Sequence, residues 1–327
     1  MKIKSIEEID YTGDTYNLHV QDNHNYFANG INVSNCHRFA SEETSDIVKN
    51  TVNCKYKWGF TGTLPEDPSM KMELLGLFGL PKTYITSREL IERGLGTPIK
   101  INSIIFKYSN NDKAIFKESS ESKGRNNGAY AKQLKFIKDH EKRNEFIINL
   151  ISKLKNNGNT LLLFQHTEHG KGLFMDIMKA LHPDVEVQNK DITGKKSFEF
   201  QEQYGVYFLN GEDDSKTREQ TRKVLEDHDD AILVANFALL STGVNIKKLH
   251  NLVLASPLKS YTTVTQSIGR GMRLHDSKSV FTVYDLVDDF GFRKPGGIFY
   301  KQYIHRKNTS YNPEEFPVRE LDYVLTS

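Results

Sequence analysis

Apolar positions along this chain recur with two different periods. In "TYNLHV", Tyr16, Leu18 and Val20 alternate with Asn17 and His19, the period of a half-buried strand. Asn29-Gly30, between "HNYFA" and "INVSN", is a strong hairpin-turn signal, so the first 35 residues predict a small strand-turn-strand unit. From residue 36 the texture becomes helical, and "KYKWGFTGTLP" then reads as a buried strand ending in a Gly/Thr turn closed by Pro65. The polar stretch "SNNDKAIFKESSESKGRNNGAY", residues 109 to 130, is expected to be partly mobile. A long amphipathic helix is expected over 129 to 156. Beyond it the short apolar runs "TLLLF", "GVYFL", "AILVA", "NLVLA" and "SVFTVYDL" alternate with helical stretches. That alternation predicts an α/β fold, a parallel sheet covered by helices on both faces. The tail from residue 290, "GFRKPGGIFYKQYIHRK", mixes basic and aromatic residues without a period. It is read either as a solvated closing helix and loop or as a nucleic-acid surface.

Composition narrows this picture only a little. The 327 residues suffice for about two domains, and a net charge of +2 leaves no global basic bias, so any nucleic-acid contact must come from local patches. Cys36 and Cys54 are the only cysteines, and their spacing fits neither a disulfide framework nor a zinc site, which points to free thiols in a reducing compartment. No apolar run approaches the ~20 residues of a membrane span, and "MKIKSIEEID" lacks the features of a signal peptide. A cytoplasmic location with no membrane partner is expected.

Candidate chemistry concentrates in two places. Within "YTTVTQSIGRGMRLH", Gln266, Arg270 and Arg273 fall at i, i+4 and i+7, so a helix would set all three along one face. Two planar, permanently charged guanidinium groups suit a transferring phosphoryl group, whereas the bland alternative is a solvated basic face. The segment follows "LLLFQHTEHGKG", "FLNGEDDSKTREQ" and "ILVANFALLSTGVNI". In that order these stretches resemble motifs IV, V and VI of superfamily 2 helicases. Upstream, "GFTGTLP" resembles motif III and "CHRF" the second half of a DECH box. Residues 36 to about 300 are most similar to phage recombination-repair helicases of the UvsW type.

The resemblance implies roles residue by residue. Arg270 and Arg273 are arginine-finger candidates, Gln266, Gly243 and Asn245 lie toward ATP, and His37 is the DECH histidine. Ser241 and Thr242 in motif V, Thr61 and Thr63 in motif III, and Gln165 and His166 in motif IV are implied DNA-side residues. Asn245 stands where many relatives carry aspartate. A helicase motor also needs a P-loop and an Asp-Glu pair for Mg2+, yet no G-x-x-x-x-G-K-[ST] occurs and Val33-Ser34-Asn35 precedes Cys36-His37. The chain is therefore expected to hold no metal ligands and no ATPase activity alone. An upstream polypeptide would supply the Walker A and Asp-Glu half.

The second constellation is the leader. An Asn side-chain amide can attack its own backbone carbonyl and cleave the following bond, and Asn35 directly precedes Cys36. "TYNLHVQDNHNYFANGINVSNC" resembles intein blocks F and G, and a piece of about 35 residues starting at Met1 resembles the C-terminal fragment of a split intein. The resemblance implies trans-splicing: Cys36, whose thiol has a reference pKa of ~8.5, accepts an acyl group, and Asn35 cyclises. His24, with an imidazole pKa near ~6.5, is the candidate general acid/base at the junction. Ser34 replaces the usual penultimate histidine and Asn17 the usual block F aspartate. The expected organisation is an intein fragment at 1–35, the end of a first RecA-like domain at 36–95 and a linker at 96–128. A second RecA-like domain at 129–290 and a tail at 291–327 complete it. The alternative is a non-splicing, ATPase-inactive RecA-like module that binds nucleic acid.

Overall fold

The structure, a computed structural model, describes residues 25–28, 31–34, 49–50, 64–65, 67–83, 85–120, 127–193, 197–237, 239, 246–258, 260–291 and 297–325. The chain divides into two units, residues 1–82 and 83–327.

In the first unit, β1 (Asn25–Ala28) and β2 (Ile31–Ser34) pair antiparallel. Ala28 faces Ile31 across the predicted Asn29-Gly30 turn, and Asn25 faces Ser34. Helix α1 (Pro68–Phe78) starts where the Asp67 carboxylate accepts from the backbone N–H groups of Ser69 (2.9 Å) and Met70 (3.0 Å). Pro68 costs nothing at that first position, because a helix's first N–H groups have no intrahelical partner. Leu74 packs with Leu77 and Phe78.

The second unit is a seven-stranded sheet in the order β5-β6-β4-β7-β8-β3-β9, with every adjacent pair parallel. Its strands are β3 (Ile99–Lys107), β4 (Asn159–Phe164), β5 (Val206–Leu209), β6 (Ile232–Asn236), β7 (Leu249–Leu254), β8 (Phe281–Asp289) and β9 (Val318–Val324). All six residues of β4 are buried, as a strand covered on both faces requires. Alternate residues serve opposite cores: Leu161, Leu163, Leu252 and Val283 face one way, Leu162, Phe164, Val253 and Leu286 the other.

The helices are α2 (Ser87–Glu92), α3 (Asn110–Ser120), α4 (Asn127–Asp139), α5 (Glu141–Leu154), α6 (Thr167–Leu181), α7 (Asn189–Ile192), α8 (Ser197–Tyr204) and α9 (Ser215–Asp227). After these come α10 (Tyr261–Gly271), α11 (Gly297–Arg306) and a π-helical turn, Lys307–Tyr311. Leu225 of α9, Val264 and Ile268 of α10 and Tyr303 of α11 cover the first core. Ile137 of α4, Ile147 and Ile151 of α5 and Phe174 of α6 cover the second.

Three local expectations change. The single helix over 129 to 156 is two helices, because His140 adopts extended backbone (φ −72°, ψ 109°) and its Nδ1 accepts from the Arg143 N–H at 3.3 Å as the cap of α5. The span 96–128 taken as a linker carries β3, whose Ile99, Ile101, Ile104, Ile105 and Phe106 are buried between β8 and β9. The aperiodic tail supplies α11 and the edge strand β9, with Phe299 and Tyr303 in the core.

Strand β8 carries a buried carboxylate to each face. Asp288 accepts from Arg143 of α5 (Nε–Oδ1 2.8 Å, Nη2–Oδ2 3.2 Å) and from the Tyr108 hydroxyl (2.6 Å). Asp285 accepts from Arg306 of α11 (Nη2–Oδ1 2.8 Å) and from the Tyr311 hydroxyl (2.7 Å). Removing one member of a buried pair leaves an uncompensated charge in a medium that solvates it poorly. Asp288→Ala is therefore expected to lower unfolding free energy by about 3–5 kcal/mol, and Arg143→Met with Asp288→Leu together by much less. Urea unfolding monitored by circular dichroism checks this; a single-variant loss below ~1 kcal/mol would contradict it.

Candidate functional site

Helix α10 begins where the Ser260 hydroxyl accepts from the Thr263 N–H at 3.3 Å, an ordinary N-cap. Its Val264 and Ile268, four apart, bury against the sheet, which leaves Gln266 and Arg270 half-buried one turn apart. The helix stops at Gly271, two residues before Arg273. There the backbone lies against the Phe281 ring, and a Cβ on Gly271 would sit 2.1 Å from a ring carbon. The one-face expectation thus holds for Gln266 and Arg270, while Arg273 projects from the turn that follows.

Both guanidinium groups titrate below the ordinary arginine value. For Arg270 burial is the main cause and the charge of Arg273 the next; for Arg273 burial is partly offset by Glu226. Both stay cationic, and the Arg273 charge is felt at Arg270. The turn itself rests on Lys278, whose Nζ donates to the carbonyls of Gly271 (2.8 Å), Lys247 (2.8 Å) and Leu249 (3.2 Å). Burial lowers its ammonium pKa to about 8, against a smaller opposing effect of Glu226.

Gln165 and His166 occupy the turn from β4 into α6. The Gln165 N–H donates to Ser256 Oγ at 3.2 Å and its carbonyl accepts from Asn236 Nδ2 at 3.1 Å, so the turn is tied to the residues after β7 and at the end of β6. The Gln165 residue is exposed. His166 caps α6 without a side-chain cap bond, and burial, followed by the Lys138 charge, lowers its pKa. His169, one turn on, has Nε2 3.2 Å from Asn144 Oδ1. Burial first, then Arg143, Lys138 and His166, lowers its pKa from 6.5 to about 3. Gly170 lets α6 approach Phe164, whose ring atoms lie 2.5 Å from where a Cβ would stand.

These two clusters lie at opposite ends of the sheet. Gln165 and Ser256 follow the carboxyl ends of β4 and β7, whereas the turn at Arg273 lies beside the amino ends of β8 and β3. An 11-residue helix, about 16 Å long, connects them. Ser34 ends β2. His24, Asn35, Cys36, His37, Thr61, Thr63, Ser241, Thr242, Gly243 and Asn245 lie outside the described residues. Among the described residues no group of three or more His, Cys, Asp and Glu could hold a metal ion, and no helix is long and apolar enough to cross a membrane. Lys278, Ser256 and Asn236 were not anticipated: each acts through a backbone atom of a residue distant in sequence, which leaves no motif.

No protein-family model matches the chain. It is homologous to the ATP-dependent DNA helicase UvsW of Enterobacteria phage T4, at 32% identity over 271 residues, covering 83% of this chain and 48% of that protein. The chain thus spans about half the length of the curated relative it matches. The crystal structure of T4 UvsW aligns with a TM-score of 0.51 at 28% identity, covering 90% of this chain and 54% of that one. A fragment of a putative HsdR subunit of a type I restriction enzyme from Vibrio vulnificus YJ016 shares the fold (TM-score 0.57, 15% identity, 90% and 48% coverage). So does S. cerevisiae Dbp5 bound to RNA and ADP BeF3 (TM-score 0.52, 10% identity, 90% and 59% coverage). The parallel α/β sheet is that of RecA-like helicase domains.

The buried imidazole of His169 has a consequence for acid stability. Its pKa lies lower in the folded chain than in the unfolded one, so between pH 6.5 and about 3 the unfolded chain binds the extra proton. Stability is expected to fall as pH drops through that window, by up to ~1.4 kcal/mol per pH unit from this group. Thermal melts from pH 7 to 4 should show a flatter profile for His169→Gln; identical profiles would exclude His169 as the cause.

Proposed function

We propose, from homology to a phage DNA helicase over most of the chain, that this protein supplies the second RecA-like domain of an ATP-dependent DNA helicase. The observation that carries the reading is the half-buried Arg270 beside Arg273 at the end of α10. ATP, when bound, would provide the transferring phosphoryl group. The chain's own contribution would be two guanidinium forks that hold its developing charge, with Gln266 one turn back orienting the nucleotide side. Gly243 and Asn245 are proposed to complete that side, and His37 to stand at its edge. Gln165 and His166, about a helix length away, would face the DNA phosphates together with Thr61, Thr63, Ser241 and Thr242. Branched DNA and recombination intermediates are the proposed substrates.

The P-loop and acidic pair that such chemistry needs, with Mg2+, are absent from these 327 residues and are proposed to come from an upstream polypeptide. The joining reaction is trans-splicing. Cys36 takes an acyl group from an upstream thioester by thiol exchange. The Asn35 side-chain nitrogen then attacks its own carbonyl carbon, closing a succinimide, breaking the bond to Cys36 and freeing the Cys36 amine. That amine captures the acyl group as an ordinary peptide. His24 would give the departing nitrogen its proton.

Mixing the chain with its cognate upstream segment is expected to yield, by mass spectrometry, a ligated product and a released leader ending at Asn35. Normal leader release by Asn35→Ala would overturn the splicing mechanism. In the joined enzyme, Arg270→Ala is expected to lower DNA-stimulated ATPase by at least about 10²- to 10³-fold. Unchanged turnover would overturn the arginine-finger role. DNA binding with no ATPase in the joined wild type would favour a passive nucleic-acid-binding module instead.

A further inference from the structure

The end of α10 is weak by composition and strongly held by its surroundings. Gly269 and Gly271 stand within its last three residues, and glycine is the poorest helix former after proline. The last carbonyls of any helix also lack intrahelical donors. Here three consecutive carbonyls are met from elsewhere in the chain. Gly271 O accepts from Lys278 Nζ at 2.8 Å, Met272 O from the Thr97 N–H at 2.7 Å, and Arg273 O from the Thr97 hydroxyl at 2.9 Å.

Thr97 is built to hold that position. It is 1% exposed, and Pro98 follows it, which confines its backbone to extended conformations. The Pro98 carbonyl in turn accepts from the Phe281 N–H at 2.8 Å, and Phe281 is the ring on which Gly271 rests. Backbone and hydroxyl of one residue thus grip two successive carbonyls, one of them belonging to Arg273 itself.

We propose that Thr97 is a positioning residue for the arginine pair: its two hydrogen bonds hold the two residues that follow α10 and fix the backbone from which Arg273 projects. The side chain does not touch the reacting atoms. It sets the angle of the groups that do, and a small displacement of such groups is costly in rate. Thr97 lies within the second unit, two residues ahead of β3, so the arginine turn is fastened to the start of that strand.

The kinetic part of this inference rests on the helicase reading, whereas the structural part does not. Thr97→Val removes the hydroxyl while keeping shape and the N–H bond, and Thr97→Ser restores the hydroxyl. In the 327-residue chain, hydrogen exchange of a peptide covering residues 266–275 should quicken severalfold in Thr97→Val and return in Thr97→Ser, with the exchange of β4 and β7 unchanged. In the joined enzyme, Thr97→Val should lower the ATPase kcat by about ten- to a hundredfold with little change in KM, and Thr97→Ser should recover it. Unchanged exchange in Thr97→Val overturns the latch. Faster exchange with wild-type kcat overturns the positioning role. A joined wild type without ATPase overturns the helicase reading instead, and the exchange data then decide the latch alone.

Discussion

The second unit is organised around two carboxylates buried on one strand. Asp285 and Asp288 are three residues apart on β8 and so face opposite cores. Neither could be sustained there without a cation. Each recruits an arginine from a different covering helix, Arg306 of α11 on one face and Arg143 of α5 on the other. Each arginine then spends a further donor on backbone beyond β7: Arg143 Nη2 on the Ala255 carbonyl at 2.9 Å and Arg306 Nη1 on the Leu258 carbonyl at 2.5 Å. The short connection into α10 is therefore held from both faces of the sheet by charges whose mates sit on the next strand.

That arrangement explains why a glycine-containing helix can serve as a rigid mount. Thr265 of α10 shares a 2.6 Å hydrogen bond with Ser310, in the same π-helical turn that delivers Tyr311 to Asp285. The start, middle and end of α10 are each tied to a different part of the chain, so its orientation is set by tertiary contacts more than by its own propensity. Such a helix can afford Gly271, which allows the close approach to Phe281 that a larger residue would prevent.

Much of this was legible in the chain. Five strands announced themselves as apolar runs, since a strand covered on both faces must be apolar throughout, and the Asn29-Gly30 hairpin followed from turn chemistry. Strand β3 was missed because "IKINSIIFK" begins with alternating polar residues and is flanked by polar stretches, although its partners bury it. Helix α11 was read only as a solvated closing helix, because its basic residues hid an inward stripe, with Phe299, Tyr303 and Arg306 buried. The break at His140 carries neither Gly nor Pro, and only the cap bond to Arg143 reveals it. At the candidate site, the spacing of Gln266 and Arg270 was readable. The early end of α10 was not, because it depends on Phe281 approaching from another strand.

The place of β3 in the sheet also has a temporal consequence. Its hydrogen-bonding partners are β8 and β9, and Lys107 meets Asp289 across 182 residues of sequence. At about 5–20 residues per second, a ribosome would release β3 roughly 10–35 s before β8 exists. For that interval an isoleucine-rich strand has two unpaired edges and no native neighbour, the condition in which strands add to other chains. The two lysines and the asparagine that obscured it as a strand, Lys100, Lys107 and Asn102, are the residues that would keep it soluble while it waits.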